Sequence, residues 1–261
     1  MPKRVSYDDA LDAFIAQSDL VVGWARSLTT DERRAPSTLP GWTIGELVVH
    51  LSISSAMVAA IAEGRAEPGV TPLAWYEYVG AYARSAESIA DRAREEAQSG
   101  SDDPAELLAH RTAEAIAVAR QTPAGTVVQA HRGPLRFTDL LVTRVIELVV
   151  HTRDLGRSLP ERAPSLEPRA VRLITRSFAE ALAARHPGRA IELRVPPYAA
   201  VQLIEGGSHT RGTPPNVVET DPGTFIDLAS GRISFAEATE AGSVRASGIR
   251  ADLTTVLPIL R

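Results

Sequence analysis

Between Phe137 and Leu159 the sequence carries an apolar helical run that is interrupted by a carboxylate and an imidazole, in Glu147-Leu148-Val149-Val150-His151. Residues four apart on a helix sit one above the other, so Glu147 and His151 share one face of an element whose neighbours are otherwise core-forming. Burying an unpaired carboxylate costs several kcal/mol, so a fold that turns this face inward must bring it a cation or hydrogen-bond donors. Far earlier in the chain, Leu47-Val48-Val49-His50-Leu51 sets another imidazole in a second apolar helix. His50, Glu147 and His151 are therefore candidate ligands of one metal ion. Two imidazoles and a carboxylate suit zinc, with iron, nickel or manganese as alternatives, and three protein ligands leave a position open for chemistry. A metal-free reading explains the same letters: Arg144, one turn before Glu147, would pair with it on a solvated stripe.

Composition narrows the classes of function. With 261 residues, 44% of them hydrophobic, the chain can bury one large core or two modest ones, and two domains are expected. A formal charge of -4 offers no broad basic field, which argues against nucleic acid as a partner. The absence of cysteine excludes disulfides, thiolate ligands and a protein thiol nucleophile, so any thiol chemistry needs an imported thiol. The charged stretch Met1 to Asp19 lacks the apolar core of a signal peptide, and no run is expected to reach the roughly 18 apolar residues of a membrane span, so the expectation is a cytoplasmic protein. There is no G-x-S-x-G, G-x-G-x-x-G or P-loop, and Gly206-Gly207-Ser208-His209 reads as a turn. The remaining histidines, His110, His131, His186 and His209, carry no comparable signal.

From Tyr7 to Leu159 the pattern predicts helices. One runs from Tyr7 to about Ser27. A second opens on the capping box Thr43-Ile44-Gly45-Glu46 and closes at Gly64, which puts His50 two turns inside it. A third is expected from Thr71-Pro72 to about Gln98, a fourth from Asp103-Pro104 to about Gln121, and the Glu147 helix from about Thr138 to Leu159. Residues 121–134 read as loop or a short hairpin. Pro160, Pro164 and Pro168 mark a linker, giving domains 1–160 and 161–261. Beyond it come a helix from about Arg169 to Arg185, strands at about 190–195, 199–204, 216–219 and 243–247, and short helices opening at Asp221-Pro222 and at the capping box Ser234 to Glu237. Ala251 to Leu260 is expected to form a closing helix. Glu46, one turn before His50, is a candidate orienting acceptor for that imidazole, although the capping role is the stronger one.

Two stretches, Leu39-Pro-Gly-Trp-Thr-Ile-Gly-Glu-Leu-Val-Val-His50-Leu51 and Arg144-Val-Ile-Glu147-Leu-Val-Val-His151-Thr-Arg-Asp-Leu155, resemble the mycothiol-dependent maleylpyruvate isomerase family, a branch of the DinB-like metal-binding four-helix bundles. The resemblance spans about residues 7 to 159 and matches all three metal-ligand positions, His50, Glu147 and His151. It implies zinc as the metal and mycothiol as a thiol cosubstrate bound at the open position. Arg194-Val-Pro-Pro-Tyr-Ala-Ala-Val-Gln202 and His209-Thr-Arg-Gly-Thr-Pro-Pro-Asn-Val-Val-Glu-Thr-Asp-Pro222 are similar to an actinobacterial sterol-carrier-like domain, which departs from the C-terminal part of the true isomerases. The fold expected is thus an α-helical DinB-like four-helix bundle followed by a small α+β sterol-carrier-like domain. Guanidinium forks suit carboxylates, and Arg84 and Arg232 are the expected handles for the thiol cosubstrate or an acidic substrate, with Arg211 instead fixing a loop. The expected function is a zinc-dependent, mycothiol-using isomerase or transferase acting on an electrophilic or apolar small molecule, its C-terminal domain closing the cleft. The alternative is a non-enzymatic carrier of a lipid or other apolar ligand, with the bundle as a structural partner.

Overall fold

The computed structural model describes residues 5–64, 66–67, 69–80, 86–99, 103–206 and 216–260. It contains two compact units, one running from Val5 to Ala170 and the other beginning at Val171.

The first unit is a helical bundle. Its elements are α1 (Tyr7–Arg26), α2 (Thr30–Arg34), α3 (Ile44–Ala62), α4 (Trp75–Val79), α5 (Ala86–Ser99), α6 (Pro104–Gln121), the hairpin β1 (Val127–Ala130) and β2 (Gly133–Arg136), and α7 (Phe137–Ser158). Helices α1, α6, α3 and α7 pack in a ring, each against the next, and α5 lies on the outside of α3. The starts follow from local chemistry. Ser6 accepts from the Asp9 amide at the head of α1, Thr43 and Glu46 form the anticipated capping box on α3, and Asp103 with Pro104 opens α6. On α7, Phe137, Leu140, Leu141, Val145, Val149 and Leu155 are fully buried, each contributing roughly 1.5–3 kcal/mol of apolar burial. Gln17 is a buried polar tie: its amide donates to Thr152 Oγ1 at 3.2 Å and to the Ser165 carbonyl at 3.3 Å, and its oxygen accepts from the Glu167 amide at 2.8 Å.

Two expectations are corrected here, and one helix is added to those expected. The single helix expected from Thr71 to Gln98 is two helices among the described residues. The Leu73 amide donates to the Pro134 carbonyl at 2.9 Å, so this stretch runs beside the hairpin, and α4 begins only at Trp75, where Glu77 caps the Ala74 amide at 2.8 Å. Gly80 then ends α4, a residue that costs about 1 kcal/mol against Ala in a helix interior. The short helix α2 was not anticipated, although Thr29 and Glu32 form a full capping box that the letters Thr-x-x-Glu announce. Finally, α3 is by length and composition apolar enough to cross a membrane, with 19 residues and a mean hydropathy of 1.8 in its most apolar window. Of that window 72% is buried inside the bundle, because α3 packs against α5, α6 and α7 at once.

The second unit contains most of α8 (Pro168–Arg185), then β3 (Ile191–Val195), β4 (Ala199–Leu203), β5 (Val217–Thr220), α9 (Pro222–Ala229), α10 (Phe235–Glu240) and β6 (Val244–Ser247). The sheet order is β4-β3-β5-β6, with β3 and β5 parallel and the outer pairs antiparallel. Alternate residues Ile191, Leu193 and Val195 face the core, as the period of a strand requires. Phe178 of α8 meets Phe225 of α9 edge to face at 6.5 Å, filling the layer between helices and sheet. The closing helix expected over Ala251 to Leu260 does not form. Asp252 accepts from the Thr254 amide at 2.8 Å in a local turn, Pro258 has no amide to continue a helix, and the amides of Ile259 and Leu260 both donate to the Ala229 carbonyl.

Candidate metal centre

The bundle brings together two sequence-distant helices at one point. On α3, His50 sits two turns beyond the Thr43 cap, and on α7 the four-residue spacing places Glu147 and His151 on the face turned toward α3. His50 Nε2 and His151 Nε2 each lie 3.3 Å from Glu147 Oε2, and the three ligand atoms are all within 4.8 Å of one another. The side chains are 12%, 14% and 16% exposed for His50, His151 and Glu147, so water screens the cluster weakly. The two imidazole rings meet edge to face at 4.9 Å, and Trp42 closes the far side of His50 at 5.7 Å.

The electrostatics follow from burial and neighbours. Burial pushes the His50 imidazole below its ordinary value, keeping the ring neutral. Burial opposes the ionised form of Glu147, yet hydrogen bonds from His151 and His50 overcome it and hold the carboxyl well below the usual range. For His151, burial again favours the neutral ring, but Asp154 and Glu147 on either side lift it to about 9.

Asp154 is the residue that sequence reasoning missed. It is fully buried, and its Oδ2 lies 2.9 Å from His151 Nδ1 while its Oδ1 accepts from Arg157 at 2.6 Å. The signal was present as His151-Thr-Arg-Asp154, an i,i+3 spacing on the same helix face. Glu46 is occupied elsewhere: its Oε2 accepts from the Thr43 amide at 2.7 Å and from the Thr43 hydroxyl at 3.0 Å, the capping role alone. Arg144, the partner required by the metal-free reading, is 7% exposed and not on a solvated stripe, and its guanidinium donates to Ser54 and to Thr143.

The donor set fits a divalent ion. Three ligands at about 2.0–2.2 Å from a tetrahedral zinc would stand roughly 3.3–3.6 Å apart, a range that includes the two 3.3 Å separations. With Nδ1 of His151 donating to Asp154, its Nε2 lone pair faces the centre once that nitrogen is deprotonated. His50 Nδ1 is buried without a hydrogen-bond partner, so Nε2 is the ring's one polar anchor and it faces Glu147. Beside the triad lies a cavity of about 320 Å³ whose wall includes His50, Glu147, His131, Arg92, Arg132 and Arg144. Nothing in the sequence pattern marks those arginines as ligand handles or gives His131 a role; tertiary packing brings them to the cavity wall. Arg84 lies outside the described residues, as do His209 and Arg211. Arg232 belongs to the second unit, where its amide donates to Asp227 and its guanidinium to the Ser230 carbonyl, closing the end of α9.

Comparison with known proteins bears on the family and the fold. Residues 14–156 match the family model described as the mycothiol maleylpyruvate isomerase N-terminal domain, and residues 167–259 match the model described as a bacterial SCP ortholog. Among curated proteins, no significant match is found. Two similar solved structures are the mycothiol-dependent maleylpyruvate isomerase, at 16% identity and a TM-score of 0.61, and a histidine-to-alanine mutant of it, at 18% and 0.60. Each comparison covers 93% of both chains, so the likeness in fold extends through both units. The chain belongs to the mycothiol maleylpyruvate isomerase N-terminal domain family, with a bacterial sterol-carrier-type domain joined behind that domain.

Proposed function

We propose that this chain is a zinc-dependent, mycothiol-using isomerase or thiol transferase of the cytoplasm, with domains 1–160 and 161–261 and with His50, Glu147 and His151 as the metal ligands. The observation that carries the reading is the pair of 3.3 Å approaches of two imidazole nitrogens to one carboxylate oxygen, on helices that meet nowhere near each other in sequence. Zinc held there would supply Lewis acidity, the means of making a thiol acidic enough to be a nucleophile near neutral pH.

The protein's own groups do the rest. Asp154 holds His151 in one orientation, and Arg157 in turn holds Asp154, so Nε2 is aimed at the centre before anything binds. Low exposure of all three ligand side chains limits water at the centre, which strengthens every charge interaction there. The lack of any cysteine is compatible with a thiol brought in from outside. Support for mycothiol as that thiol, and for isomerisation as the reaction, comes from the family match over 14–156.

Elemental analysis of the purified chain beside His151→Ala tests the assignment. Near one zinc per chain in the parent and almost none in the variant is the expected result; full occupancy in the variant would remove His151 from the ligand set.

A further inference from the structure

The face of α3 that carries His50 continues past the metal centre as an apolar stripe. Ile53, Met57 and Ile61 follow the imidazole at spacings of three and four, which stack them on one side of the helix. All three line the cavity of about 320 Å³ beside the triad, and Tyr78 of α4 joins them. At a rise of about 1.5 Å per residue, the stripe extends roughly 16 Å along the helix from His50.

The stripe is fixed at both ends. Ile53 packs with Val49 of the same helix and with Ala93 of α5. Beyond Ile61, the Gln129 amide donates to the Gly64 carbonyl at 2.9 Å and the Ala66 amide donates to the Val127 carbonyl at 3.2 Å, which seats the β1–β2 hairpin on the end of α3. Gly64 permits the close seat, since a Cβ there would stand 3.2 Å from the Gln129 carbonyl oxygen. The Leu73 amide ties the stretch before α4, and Tyr78 with it, to the same hairpin.

The size of the space and the chemistry of this wall select an occupant. An apolar cavity of about 150 Å³ holds one benzene molecule. The cavity here has about twice that volume, room for a ring with a side chain or for a medium-length alkyl chain. Water beside Ile53, Met57 and Ile61 makes no hydrogen bonds to them, so an apolar group that displaces it gains with every methylene it brings. His50 and Glu147 bound the same cavity, so a molecule seated along the stripe presents its other end to the metal ligands.

We propose that the α3 stripe is a substrate subsite for an apolar arm, and that the molecule transformed at the triad is an electrophile carrying an alkyl or aryl group of up to roughly the size of two benzene rings. The proposal rests on the metal-and-thiol reading for the reaction at the triad, and not for the seating of the arm.

The chain has two methionines, Met1 and Met57, so labelling with methyl-13C methionine puts one reporter in the cavity and leaves one at the N-terminus as a reference. The purified full chain, so labelled, is titrated by NMR with 1-butanol, 1-hexanol and 1-octanol, neutral probes that differ only in apolar length. The Met57 methyl signal is expected to shift in a saturable way, with affinity rising about threefold to fourfold per methylene. Ile53→Thr and Ile61→Thr, which put a hydroxyl on the stripe, should each weaken 1-octanol about tenfold. A Met57 signal that does not respond, an affinity that does not rise with chain length, or folded variants that bind like the parent would each overturn the proposal. If neither variant folds, the Met57 response and the chain-length series of the parent decide alone. Zinc analysis of the same sample judges the metal reading separately: absence of zinc strikes that reading and leaves the alcohol series to judge this one.

Discussion

His151 Nδ1 lies 2.9 Å from Asp154 Oδ2, and that carboxylate is itself fully buried. The contact fixes the ring from the side away from Glu147, which lies 3.3 Å from Nε2. Replacing Asp154 with Asn should therefore weaken zinc binding without removing a ligand. A loss of about 10–100-fold in affinity is expected, read by competition with a chromophoric chelator. Unchanged affinity would mean that packing alone orients the ring.

The same contact sets a pH dependence. In the metal-free chain His151 keeps its proton up to about 9, flanked by Asp154 and Glu147, so a metal must displace that proton. Zinc binding at pH 7.5 should release close to one proton per chain, measured by titration calorimetry in buffers of different ionisation enthalpy. Because the folded value lies above the unfolded one of about 6.5, the stabilisation from His151 is complete below that pH and is lost as pH rises toward 9. The melting temperature of the metal-free chain should fall across that window. His50 and Glu147, both lowered, lose their contributions only on acidification, below about 6.5 and 4.5 respectively, so neither opposes the trend.

The helix that carries His50 depends on its cap. Thr43 Oγ1 accepts from the Glu46 amide at 3.1 Å, and Glu46 returns a carboxylate to the Thr43 amide. Thr43→Ala should cost about 1 kcal/mol of stability by denaturant titration while zinc stoichiometry stays at the parent value. Glu46→Gln should leave zinc affinity unchanged, and a marked loss would restore Glu46 as an orienting group for His50.

Much of this was legible in the letters because local chemistry and tertiary outcome agree. The caps Thr43-x-x-Glu46 and Asp103-Pro104 define their helices within a residue or so, and the Glu147 to His151 spacing puts both groups on the face that meets His50. What was hidden depends on contacts between distant segments. Leu73 is drawn to the hairpin by Pro134, which no helical periodicity in 71–98 records, and the amides of Ile259 and Leu260 go to Ala229, far back in sequence. The arginine wall of the cavity was illegible for the same reason: Arg92, Arg132 and Arg144 come from three elements, and only packing gathers them.

The second unit has a position where backbone space is decisive. At Gly188 φ is +152°, and an added Cβ would stand 2.0 Å from the Ile204 carbonyl oxygen, which accepts the Ala190 amide at 3.0 Å. That oxygen cannot retreat without breaking the bond that starts β3 beside β4, and the clash comes from backbone and not from a movable side chain. Gly188→Ala should therefore destabilise the sheet by about 1–3 kcal/mol, the order of a strained backbone residue, and lower the melting temperature accordingly. Hydrogen exchange read by mass spectrometry should show the loss of protection in 190–204, with α3 and α7 unaffected. Parent-like protection there would mean that the 186–190 turn can shift to admit the methyl group.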